Sequence, residues 1–118
     1  MDFSQASAII HETDRESSME NTTRAALERL LRIAASDTHQ ARRVTNFILA
    51  WWNAESLGGF DLADLFAVDA SIAADMALVF SHVAQLSNAE YPNEYRTEIE
   101  AIIAQWRPEI WARATETA

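Results

Sequence analysis

Three histidines, four clustered aspartates and four tryptophans are the residues of this 118-residue chain whose chemistry could matter most. His11, His39 and His82 do not pair at metal-ligand spacing. His11-Glu12 resembles the start of a zinc-protease helix motif, but Arg15 stands where the second histidine belongs. His82, flanked by Leu78 and Leu86, reads as a boundary histidine of a helix. There is no cysteine, which removes disulfides, thiolate catalysis and cysteine-held metal. A nucleophile elbow, a phosphate-cradling glycine loop and a dinucleotide fingerprint are all missing, and Gly58-Gly59 has no lysine beside it. No enzyme activity, metal or cofactor is therefore expected.

Asp61, Asp64, Asp69 and Asp75 fall within one short stretch, but not at EF-hand spacing. Asp61 and Asp69 suit helix N-caps. Asp64 and Asp75 have no such explanation and are expected on a solvated face. Together the four are a candidate acidic patch for an arginine- or lysine-rich partner, with Glu90, Glu94, Glu98 and Glu100 placed either to extend it or to form a second one. Tryptophan is enriched at binding hot spots. Trp51 and Trp106 are expected in the core. Trp52 and Trp111 lie where a helix face can be left uncovered, and they join the aspartates as candidate partner-binding residues.

The elements that must position these residues read as helices. The chain has two glycines and two prolines, too few for the turns of a β-sandwich. Leu27, Leu30, Leu31 and Ala34 form a first stripe, starting near Asn21–Thr23, with Arg24 and Glu28 spaced to pair. Ala41, Val44, Phe47, Ile48 and Trp51 form a second, capped by Ser36 or Asp37 and running to about Glu55, with Arg42 and Arg43 opposite. Gly58 stops it. Phe60 and Leu65 are spaced for a hydrophobic staple around a short helix over Leu62–Ala67. Ile72, Met76, Val79, Phe80, Val83 and Leu86 predict a helix from Asp69 through about Leu86. Asn93 can cap a last long helix bearing Tyr95, Ile99, Ile102, Ile103 and Trp106. Pro108 breaks it, leaving one short turn over Glu109–Arg113.

The expected fold is all-α: a bundle of four to five helices over residues 21–118 behind a flexible N-terminal arm, residues 1–20, able to dock through Phe3, Ile9 and Ile10. The N-terminus lacks secretory-signal features, and no apolar run approaches the ~20 residues a membrane span needs, so a soluble cytoplasmic protein is expected. The net charge is −9, and all nine basic residues are arginine. Such a chain repels phosphate backbones, which argues against direct nucleic-acid binding. It favours a protein partner with a basic surface, including one that itself handles nucleic acid.

The stretches Ala41-Arg42-Arg43-Val44, Phe47-Ile48-Leu49-Ala50-Trp51-Trp52-Asn53-Ala54, Gly58-Gly59-Phe60-Asp61-Leu62-Ala63-Asp64-Leu65-Phe66, Val68-Asp69 and Gln105-Trp106-Arg107-Pro108 resemble a family of small uncharacterised bacterial proteins. That family is a domain of unknown function carried on integrative conjugative elements and plasmids of proteobacteria. The resemblance spans about residues 41 to 108 and carries over no catalytic residue. It implies a mobile-element setting, in which small acidic proteins often antagonise host defences, CRISPR and restriction systems among them. The expectation is a non-catalytic binding module of that kind. The alternative is a homodimeric accessory protein of the element.

Overall fold

The computed structural model describes residues 19–116. The expected N-terminal arm lies almost wholly outside the described residues. Within them the chain is all-α: α1 (Asn21–Ala34), α2 (His39–Leu57), a 3-10 turn (Leu62–Ala67), α3 (Ala70–Ala84), a second 3-10 turn (Asn93–Tyr95), α4 (Arg96–Trp106) and α5 (Pro108–Glu116). No helix is long and apolar enough to cross a membrane.

α1 is the hub. Ala26, Leu27, Leu30 and Ala34 are fully buried, and α2, α3 and α4 all pack against it, α3 most extensively. α5 instead rests on α4. The core closes around Val44, Ile48 and Leu49 of α2, Met76 and Val79 of α3, and Ile99 and Ile102 of α4. Hydrogen bonds fix the helix directions. Arg29 on α1 meets Asp75 on α3, while Gln40 at the start of α2 meets Asp69 just before α3. α1 therefore runs antiparallel to both α2 and α3. At its C-terminal end, the Trp106 indole donates to the Ala34 carbonyl at 2.8 Å and Gln105 donates to that of Ser36 at 3.0 Å.

Several local details differ from the sequence expectation. Thr38, not Ser36 or Asp37, caps α2, accepting from the Ala41 N–H at 3.1 Å. Ser36 instead donates to the carbonyl of Ile33. α2 does not run straight to Glu55. Asn53 leaves helical geometry (φ −170°, ψ 82°) and its side chain accepts from Ser56 N–H, capping a final turn that ends at Leu57. Gly58 then takes φ 101°, a value that favours glycine, and the Arg107 guanidinium ties this reversal to the Leu57 carbonyl and to Asn46. α3 ends at Ala84 rather than Leu86. Asn93 does not cap α4 directly: it opens the 3-10 turn before it and accepts from Arg96. Past Pro108 there is a nine-residue helix, not one turn. Trp51 and Trp106 are half-buried at the core edge because each indole N–H reaches a backbone carbonyl.

Arg24 and Glu28 do not pair with each other. Both turn to α4's N-terminal end: the buried Tyr95 hydroxyl donates to Glu28 at 2.6 Å, and Arg24 donates to Tyr95 and pairs with Glu94. Burial raises the Tyr95 pKa above its ordinary value, the hydrogen bond to Glu28 adds to this, and Arg24 opposes it. A raised folded-state pKa means that the native state holds the phenolic proton more tightly than the unfolded chain. The associated stability is fully present below about pH 10 and is lost as pH rises through the folded value. Urea unfolding should show stability falling above pH 10, by at most about 1.4 kcal/mol per pH unit from this group. Tyr95→Phe should remove that dependence while costing about 1 kcal/mol at neutral pH.

Candidate functional site

α2 and α3 both lie on α1, yet they make little contact with each other. The gap between them is an apolar groove of about 1170 Å³. Phe47, Ala50 and Trp51 form the α2 wall, and Met76, Phe80 and Val83 the α3 wall. Phe60, Leu62 and Leu65 of the returning link line one flank, and the Leu86–Tyr91 loop closes the end nearest the start of α1. The link is held in place by Phe60, packed edge-to-face on Phe47 at 5.3 Å. The loop is held by Trp51, whose indole donates to the Glu90 carbonyl at 3.0 Å. Trp51 also stacks edge-on against the half-buried His82. Walls fixed at both ends leave the groove open and preformed, the usual condition of a binding cleft.

Large apolar side chains stand open to solvent along it. Phe80 is 62% exposed and Leu62 67%, and Tyr91 is also exposed. Phe66, on the 3-10 turn, is 92% exposed. Contiguous exposed apolar surface marks interaction sites far more often than scattered single residues do.

The candidate acidic patch fares differently. Asp61 caps the 3-10 turn, accepting from Ala63 N–H at 2.9 Å, and sits between the groove residues Phe60 and Leu62. Asp69 occupies the N-cap of α3 but its carboxylate accepts from Gln40 instead of from the helix. Asp64 and Asp75 do not lie on a solvated face. Half-buried Asp64 faces Arg43 of α2 at 3.5 Å, so Arg43 is turned inward as well. Asp75 is buried and accepts two hydrogen bonds from Arg29, both 2.9 Å, which raise the arginine pKa. Three of the four carboxylates thus hold helices together, and Asp61 alone stands beside the groove. Neither candidate tryptophan is openly exposed. Arg96 lies over the Trp52 ring at 5.0 Å, and Trp111 packs half-buried against the core.

Phe80 was expected in the core and is not there, for a geometric reason. At about 100° per residue it sits about 80° from Ile72 on one side of the stripe, while Asp75 sits about 60° away on the other. α1 covers the Asp75 side. Nothing among the described residues covers the Phe80 side. The angular offset is present in the sequence, but which flank α1 would choose is not. Among the described residues, no three histidine or carboxylate side chains converge to hold a metal.

The chain belongs to a family of unknown function (DUF7673), whose pattern matches residues 24–107. The match therefore begins within α1, well before the residue-41 start of the sequence resemblance, and takes in the helix on which the others pack. No curated protein and no solved structure matches the chain.

Proposed function

We propose that this family member is a non-catalytic binding module that receives an amphipathic, basic helix of a partner protein in the groove between α2 and α3. The observation that carries the reading is the separation of two helices on a shared third, with Phe80 and Leu62 left exposed between them. A trough walled by two helices suits another helix, anchored by side chains at i, i+3, i+4 and i+7. Glu90 in the closing loop of the groove and the net charge of −9 favour lysine or arginine on that helix's flanks.

The mobile-element setting of the proteins it resembles supports a role against host defences, with a nucleic-acid-handling complex as the target. Expression in a host with an active CRISPR or restriction system tests this. Wild-type protein should raise plasmid or phage survival and co-purify a component of that system, and Phe80→Glu should do neither. Unchanged survival with the wild type, or equal protection by the variant, would refute the reading. The exposed Phe80 and Leu62 also suit a second copy of the chain, the homodimeric accessory reading. Light scattering that finds a strict monomer at high concentration would count heavily against it.

A further inference from the structure

We infer that the groove accepts its helix in one direction: the partner helix docks antiparallel to α2 and α3, with its N-terminal turn against the Leu86–Tyr91 loop. This rests on the groove being the binding surface. Two contacts show that the walls are parallel to each other and level. Gln40 meets Asp69 where both walls begin, and Trp51 meets His82 near where both end. The negative ends of both helix dipoles therefore lie at the closing loop, and both positive ends lie at the far end. α1, antiparallel to both walls, already stands in this relation to them.

The chemistry of the loop has the same sign. Leu86-Ser87-Asn88-Ala89-Glu90-Tyr91 contains no basic residue and includes one carboxylate. The first four N–H groups of a helix have no partner within it. Ser87, Asn88 and Glu90 all carry acceptor oxygens that can serve them. The last carbonyls of a helix need donors instead, and an ionised glutamate offers none. At the far end Arg43 stands beside Asp64, next in sequence to the groove residue Leu65. The guest's C-terminal carbonyls there meet the positive ends of both walls. The α3 wall runs from Ala73 to Val83, about 15 Å of helix, so the guest presents about three turns. Because the loop closes its end of the groove, the partner chain must turn away sharply just before the first of those turns.

A nitroxide on a leucine–lysine helix of about fourteen residues tests the direction, placed on the polar face at the first residue or at the last. Each peptide is bound to isotope-enriched, full-length protein. The N-terminal label should broaden the Asn88, Glu90 and Tyr91 amides at least about threefold more than those of Leu65 and Ala73, and the C-terminal label should do the reverse. Glu90 is exposed, so Glu90→Lys should keep the fold while reducing this preference severalfold. The opposite pattern, or equal broadening of both ends by each label, would overturn the inference and leave the groove as the binding surface. Groove signals that stay sharp with both labels would overturn the groove reading and the inference with it. A preference as strong in Glu90→Lys as in the wild type would overturn the part assigned to Glu90.

Discussion

Phe80→Glu weakens binding of a synthetic amphipathic leucine–lysine helix by at least about 30-fold, the ~2 kcal/mol expected for a hot-spot side chain. The direction of the change makes it informative. The substitution adds a negative charge to a protein whose net charge is already −9. If the basic helix were held by long-range attraction alone, the variant would bind as well or better. Loss of binding requires that the phenyl ring itself be covered. The fold should be unaffected, because Phe80 is mostly in solvent on the outer flank of α3 and glutamate is the better helix former. Fluorescence titration reads the binding, since Trp51 lines the groove. A leucine–glutamate helix of the same pattern should bind neither protein.

Leu27→Ala should destabilise the protein by about 2–5 kcal/mol, a large part of the ~5–15 kcal/mol that domains of this size possess. Leu27 is fully buried on α1, the helix against which α2, α3 and α4 pack, so no single neighbour can move in to fill the space. Thermal unfolding should shift downward by about 10 °C or more. Phe66→Ala, by contrast, should stay within about 0.5 kcal/mol of wild type, because Phe66 touches little. A loss below about 1 kcal/mol for Leu27→Ala would mean that α1 is not the hub of the core.

The helices were legible because their apolar residues recur with the helical period, and because Asp61, Gly58 and Pro108 punctuate them as their chemistry dictates. The site was less legible. Asp64 and Asp75 read as surface charge because their partners, Arg43 and Arg29, are distant in sequence and only tertiary packing joins them. Phe80 read as core because periodicity defines a stripe but not which of its flanks a neighbour covers. Trp52 drew attention by its type, yet Arg96, forty-four positions away, lies over it. In each case the missing information was which helix lies beside which. The sequence carried the acidic character of the surface. It did not carry the gap between α2 and α3.

The most direct test is an amide chemical-shift map of the full-length protein titrated with the leucine–lysine helix. Shifts should concentrate on Phe60, Leu62, Phe80, Val83 and Tyr91, on the two walls and the closing loop. Shifts gathered instead around the exposed carboxylates of α4 and α5, such as Glu98 and Glu109, with the groove signals unmoved, would contradict the account.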